Sequence, residues 1–409
     1  MTPNETKTLR QQTFVNQTWF NANGKGIFIA ATGFGKSRVA LMAIKLSNER
    51  APNRIIHIVV PSTHLKKSWE KQCKEWGFTN VTVFVGNTYV KIMRTCDFLI
   101  VDELHNYSNN LAMVFRRIIS DTKFSFFLGL SATLSPDKVS FLLSKGLRVL
   151  DTVTLAEAKK MKWVSDFRVL CLGLDLNETD RENYKKLHEN FNKYFAIFNH
   201  NFELAMNCMQ SADASEEFAK TLSDEWTAQR VRVAAINWNR NMQKRKALLY
   251  HADAKITCAA RLIKCLNRHT IAFCQSTAGA DTLETYIGGQ CKAYHSKKGI
   301  RDRRLILKSF IDKEISCLSA AEALDEGFDV EHIELGVIWA RTSVPLQSVQ
   351  RIGRAIRFVA DKTAFIIQVY IKDSQDENWL KKSLKGTPGI IWLEHESQVL
   401  DLIASYQTP

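Results

Sequence analysis

Short, near-continuously apolar runs alternate with helical stretches in two separate series along this chain, and that alternation restricts its fold more than any other feature. The first series comprises Gly26–Ala30, Ile55–Val60, Val81–Val85, Phe98–Val101 and Phe124–Gly129. The second comprises Thr270–Cys274, Cys291–Tyr294, Ser316–Ser319, Leu335–Trp339 and Ala364–Tyr370. Strands that are apolar on both faces and separated by helices belong to parallel sheets covered on both sides. The intervening helices include Ser37 to about Leu46, a stretch carrying Leu65 and Trp69, and about Ala278–Tyr286 and Ile300–Phe310. Residues from about 177 to 265 differ: they are polar and poor in glycine, with aromatic residues at helical spacing (Phe191, Tyr194, Phe195, Trp238) and no convincing strand. They predict a helical insertion or bridge. The expected fold class is therefore α/β, two parallel-sheet domains in tandem. The expected boundaries are 1–170, 171–265 for the helical part and 266–409, with the tail after Ser374 too mixed to read.

Bulk composition narrows the partners. Fifty-six Lys and Arg against 42 Asp and Glu give a net charge of +14 over 409 residues. Such an excess favours a polyanionic partner, nucleic acid or an anionic membrane surface. None of the nine cysteines forms a C-x-x-C pair, and several lie in apolar runs, as Cys274 and Cys317 do. That spacing argues against a disulfide framework or zinc site and for reduced thiols packed as small core residues. No apolar stretch approaches the roughly 20 residues that span a bilayer, and Met1–Lys7 has no apolar signal core. A cytoplasmic protein without a membrane segment is expected.

Three local patterns carry chemistry. Ala30-Ala-Thr-Gly-Phe-Gly-Lys-Ser37 joins a strand to a helix, as a phosphate-binding loop does. Thr32, Gly33, Phe34 and Gly35 would wrap phosphate with backbone N–H groups, Lys36 would reach the β- and γ-phosphates of ATP, and the Ser37 hydroxyl would ligate Mg²⁺. Ala30 stands where this motif has its leading glycine. Phe98-Leu-Ile-Val-Asp-Glu-Leu-His105 places two carboxylates directly after a buried strand. Asp102 suits the Mg²⁺ ion and Glu103 the attacking water. His105 reads equally as a relay or as a hydrogen-bonded loop histidine, and Ser131-Ala-Thr133 could couple the acidic pair to the far side of a cleft. In the third pattern, Gln350, Arg351, Arg354 and Arg357 share one helical stretch, with Arg354 and Arg357 on one face. Facing the γ-phosphate from another domain, such arginines stabilise transition-state charge.

In this order the blocks resemble helicase superfamily 2. Ala30–Ser37 is similar to motif I, Asp102–His105 to a DExH motif II, Ser131–Thr133 to motif III and Gln350–Arg357 to motif VI. Ala323-Leu-Asp-Glu-Gly-Phe-Asp329 resembles motif V, Val60–Leu65 motif Ia and Phe273–Ser276 motif IV. Within the superfamily the pattern is closest to the phage UvsW-like and XPB- and RecG-like DNA repair and recombination helicases, and the compact size suggests a phage or other mobile-element source, with action expected in the host cytoplasm. No additional N-terminal DNA-binding domain is expected, because motif I lies close to the first residue. The resemblance implies two RecA-like domains sharing one ATP and Mg²⁺ site. Lys36, Asp102, Glu103, Gln350, Arg354 and Arg357 would act in catalysis, Gly327 and Asp329 would join the nucleotide site, and Gln11 or Gln12 would contact adenine. A single strand would be held through its phosphates by Pro61, Ser62 and Thr63 from the first domain, and by Gln275, Ser276, His295, Ser296, Lys297 and Ser319 from the second. The expected partner is DNA, single-stranded or branched, with RNA as the alternative and a monomer as the working unit. Lys159–Lys162 reads as a solvated helix end.

Overall fold

The computed structural model describes residues 1–31, 33–92, 95–107, 111–164, 167–321, 333–340, 363–384 and 389–406. Motif V (Ala323–Asp329), motif VI (Gln350–Arg357) and Thr32 lie outside them.

Thirteen described strands form two sheets in which every pairing is parallel. In the first sheet are β1 (Lys25–Ala30), β2 (Ile56–Val60), β3 (Val81–Val85), β4 (Phe98–Val101), β5 (Phe126–Ser131) and β6 (Val149–Val153), in the order β3-β2-β4-β5-β1-β6. In the second are β7 (Phe167–Leu174), β8 (Thr270–Cys274), β9 (Cys291–Tyr294), β10 (Cys317–Ala321), β11 (Leu335–Ile338), β12 (Ala364–Ile371) and β13 (Ile390–Leu393), in the order β13-β7-β12-β11-β8-β10-β9. Helices cover both faces of each sheet, so central strands such as β4, β8 and β12 are buried along their whole length. That double burial is why they read as unbroken apolar runs.

The expected domain boundaries move. β7 hydrogen-bonds along its full length to β12 and also to β13, so the second sheet begins at Phe167 and not near residue 266. Helix Asp253–Leu266, placed in the insertion by its sequence, buries Ile256, Cys258, Ala259, Leu262 and Ile263 in the core of that sheet. The true insertion comprises helices Glu178–Ile197, Phe202–Gln210, Ala212–Ala219 and Ala228–Tyr250, and it interrupts the second domain between β7 and β8. Phe198, Cys208, Val231, Ala235 and Trp238 give it a separate apolar core. It is rooted on the sheet by Leu176, Leu249, Ala252 and Ile371, and by the Tyr184 hydroxyl accepting from the Gln375 N–H at 2.8 Å. Sequence could not assign β7, because a strand's apolar pattern reports burial and not which partner it will find.

Eight of the nine cysteines are buried as free thiols and Cys265 is exposed, in keeping with small core residues. Among the described residues no helix is long and apolar enough to cross a membrane.

Candidate active site

All strands of the first sheet run the same way, so their carboxyl ends share one edge. β5 lies between β1 and β4, which sets the phosphate loop and the acidic pair roughly 10 Å apart at the usual strand spacing. Ser131 ends the intervening strand, beside Ile29.

After β1 the chain turns through two glycines in the left-handed region, Gly33 at φ 85° and Gly35 at φ 95°. Gly35 caps helix Lys36–Arg50, and a Cβ there would sit 2.6 Å from the Gln11 side-chain nitrogen. The left-handed conformation therefore calls for glycine, and a side chain there would also push the Gln11 amide aside. The helix N-terminus directs unsatisfied N–H groups and its positive dipole end at the loop. Lys36 is buried, with its ammonium donating to the Ala30 carbonyl at 3.2 Å; Ser37 is half-buried. Phe34 turns its side chain into the core against Phe28 and Trp163, and its N–H donates to the Ala31 carbonyl. The phenyl ring is therefore an anchor for the loop and not a ligand contact.

The N-terminal helix Pro3–Thr13 fixes the loop from outside. Gln11 donates to the Phe34 carbonyl at 2.7 Å, is 1% exposed, and keeps its Oε1 buried without a hydrogen-bond partner among the described residues. Gln12 is exposed, so of the two candidates Gln11 is the one at the loop. Lys7, which sequence reasoning missed, donates to the carbonyls of Gly33 (2.7 Å) and Trp163 (2.9 Å). The only sequence signal for it is a cation one helical turn before Gln11.

The acidic pair is almost fully buried, Asp102 at 4% and Glu103 at 3% exposure. The Glu103 N–H donates to Asp102 Oδ1 at 2.8 Å. Glu103 itself adopts φ 52°, ψ 49°, a left-handed conformation that costs a non-glycine residue on the order of 1–3 kcal/mol and concentrates at functional sites. His105 is a hydrogen-bonded loop residue placed where a relay would also sit: its Nδ1 lies 3.3 Å from Glu103 Oε2 and 3.3 Å from Ser131 Oγ. Motifs II and III are thus joined through one imidazole, while Ser131 also donates to the Thr133 carbonyl.

Lys138, from helix Pro136–Ser144, was not legible as a site residue. Its ammonium donates to the carbonyls of Leu104 (2.8 Å) and His105 (2.9 Å) and so clamps the turn that carries Glu103. Burial lowers its pKa from 10.5 to about 8. The charged clamp is therefore present below about pH 8 and weakens above it. The stability contribution has the opposite sign. Burying the ammonium is costly below pH 8, and that cost is relieved as pH rises toward the free-lysine value. Turnover of any reaction at Glu103 is expected to fall as pH rises through 8 without unfolding caused by this group. Lys138→Met should lower turnover at pH 7 by about tenfold, the scale of one charge-assisted hydrogen bond, and abolish the inflection. Paired pH–rate and melting profiles check this.

The donor set fits a nucleotide with its Mg²⁺. A buried lysine and a helix N-terminus suit phosphates, and Mg²⁺ takes one or two protein oxygens besides phosphate and water, here from Ser37 and Asp102. Of the expected strand contacts, Pro61–Thr63 follow β2 at the same sheet edge. Ser62 accepts from the Leu65 N–H as the cap of helix Thr63–Glu75, and Thr63 is exposed. In the second domain Ser276 caps helix Thr277–Ile287 by accepting from the Gly279 N–H, next to half-buried Gln275, and Ser296 and Lys297 are exposed.

Two of the expected strand contacts have buried side chains. Ser319 lies in the middle of β10, flanked by Ala272 and Ala293, with no exposure. His295 is 3% exposed and bonded to Asp281 at 2.9 Å. Both side chains are interior for different reasons: β10 runs on past Ser319 to Ala321, whereas His295 follows β9, which ends at Tyr294 as expected, and is buried against Asp281 of the neighbouring helix.

Comparison with known proteins covers both sheets. A family model for the type III restriction enzyme res subunit matches residues 5–91, and one for the helicase conserved C-terminal domain matches residues 254–359. The DNA 3'-5' translocase XPB2 of Sulfurisphaera tokodaii is 22% identical over 372 residues, spanning 86% of this chain and 79% of the translocase. The Pyrococcus furiosus Hef helicase domain superposes with a TM-score of 0.55 at 16% identity, over 92% of this chain and 98% of that one. S. cerevisiae Dbp5 bound to RNA and ADP BeF3 gives 0.57 at 14% identity, over 98% and 97%. The structural likenesses establish the fold, two RecA-like domains in tandem.

Proposed function

Because this chain is a superfamily 2 helicase and therefore an ATP-hydrolysing enzyme, we propose that it uses ATP to move along a DNA strand and to unwind or remodel branched duplexes, as in repair and recombination. The working unit is a monomer in the cytoplasm. One observation carries the reading: the loop with Lys36, the buried pair Asp102–Glu103 and the segment Pro61–Thr63 all emerge at the carboxyl edge of one parallel sheet. Nucleotide chemistry and a strand contact would thus sit side by side.

Lys36 and the helix N-terminus bind and orient the phosphates, with Gln11 Oε1 offered to adenine. Bound Mg²⁺, held by Ser37 and Asp102, would supply charge neutralisation at the β- and γ-phosphates. Glu103, oriented by His105 and clamped through Lys138, takes the proton of the attacking water. Gln350, Arg354 and Arg357, with Gly327 and Asp329, complete the pocket from the second domain when the cleft closes. Thr63, Gln275, Ser276, Ser296 and Lys297 hold strand phosphates without reading bases. DNA is preferred over RNA because a relative matched along 86% of this chain is named a DNA 3'-5' translocase.

The test compares ATP turnover with no nucleic acid, single-stranded DNA, forked DNA and matched RNA, beside strand-displacement and translocation assays. DNA is expected to stimulate turnover most, and Lys36→Ala to abolish it in every arm while the protein still melts cooperatively. Greater stimulation by RNA would replace the substrate class. Translocation without displacement would leave a motor that does not unwind.

A further inference from the structure

Asp102 is held from two sides. Its backbone N–H donates to the Val59 carbonyl of β2 at 3.0 Å, and its Oδ1 accepts from the Glu103 N–H. Its Oδ2 accepts from the indole Nε1–H of Trp69 at 2.8 Å. Trp69 is 1% exposed, so this bond lies away from water. A hydrogen bond to a carboxylate is strong there, and removing the donor leaves a buried acceptor unsatisfied. Trp69 belongs to helix Thr63–Glu75, whose N-terminus carries Ser62 and Thr63. At 1.5 Å per residue it lies roughly 9 Å along the axis from Thr63.

A core tryptophan often donates to whatever acceptor is near. Burial does not enforce that here. Trp238 and Trp339 are also buried, and among the described residues their Nε1 atoms have no hydrogen-bond partner. The Trp69 indole, by contrast, reaches the carboxylate expected to hold the metal, from the helix expected to meet the strand.

We propose that Trp69 is a positioning residue that transmits strand engagement at Pro61–Thr63 to the Asp102 carboxylate. The inference rests on the functional reading above. Phosphate captured at the helix N-terminus shifts a rigid helix, and the indole N–H carries that shift to the rotamer of Asp102. Strand binding thereby sets the geometry of the metal-holding oxygen, which makes hydrolysis depend on the strand.

The full chain carrying Trp69→Phe or Trp69→His tests this. Phenylalanine removes the donor and keeps an aromatic ring, and histidine can place its Nε2–H at the ring position of the indole nitrogen. Trp69→Phe is expected to cut the stimulation ratio by single-stranded DNA about tenfold, with the change in kcat and not in KM for ATP, and to raise the Mg²⁺ needed for half-maximal turnover. Trp69→His recovers much of the ratio. In the metal- and nucleotide-free wild type, single-stranded DNA is expected to shift the Trp69 indole ¹⁵N–¹H resonance, assigned by its absence from whichever variant folds. A lowered melting temperature with an unchanged stimulation ratio and an unmoved indole resonance would show Trp69 to be packing alone and overturn the inference. Wild-type turnover indifferent to every polynucleotide would instead overturn the functional reading, and this inference with it.

Discussion

Arg354→Ala is expected to leave ATP binding near its wild-type level and to slow hydrolysis by about 10³–10⁵-fold, the contribution of an arginine that meets transition-state charge on a transferring phosphoryl group. The residue lies outside the described part of the structure, but within the segment matched by the helicase C-terminal domain model. The expectation rests on the Gln350–Arg357 pattern: three arginines and a glutamine on a stretch that also carries Ile352, Gly353 and Ile356. Fluorescent-nucleotide binding measured beside turnover checks it. Normal turnover in this variant would show that the site is complete within the first domain, and the shared-pocket model would have to be abandoned. Loss of binding together with turnover would assign the arginine to ground-state affinity.

Glu103→Gln should lower turnover by about 10²–10⁴-fold, the usual contribution of a positioned general base, with ATP affinity retained. Its stability effect should have the opposite sign. Two adjacent carboxylates buried beyond 95% oppose each other, so neutralising one relieves like-charge repulsion and desolvation. Melting temperature is expected to hold or rise. A parallel loss of stability and activity would mean that Glu103 instead holds the turn together. His105 sharpens the test, since its Nδ1 lies 3.3 Å from both Glu103 Oε2 and Ser131 Oγ. The amide of glutamine can still occupy that position but cannot take a proton from water.

Much of the candidate site's arrangement was legible because its signals are local. A strand–loop–helix joint with Gly33, Gly35, Lys36 and Ser37 is written in consecutive residues, and so is the acidic pair after β4. Gln11 could be narrowed only to a pair, since helical phase at a helix entry is not fixed by two adjacent glutamines. Lys7, Lys138 and Trp69 were invisible as site residues. Each acts on a loop 26 or more residues away in sequence, and each looks alone like a solvated cation or a core aromatic. His295 and Ser319 differ in the other direction: their positions in the motif order were plausible, but β10 runs on past Ser319 and His295, just beyond β9, is buried against Asp281.

What the sequence determined by itself was the architecture of two doubly covered parallel sheets and the placement of the glycine loop and the acidic pair at the ends of β1 and β4, because apolar runs, glycine turns and cap positions act over a few residues. Tertiary structure alone decided that β7 joins the second sheet, that the helical insertion interrupts that domain, and that an indole and an ammonium from separate helices hold the acidic turn. Those outcomes depend on which distant surfaces bury one another. Hydrophobic burial is non-directional, so the chain records how much surface must be hidden and leaves to packing the choice of what hides it.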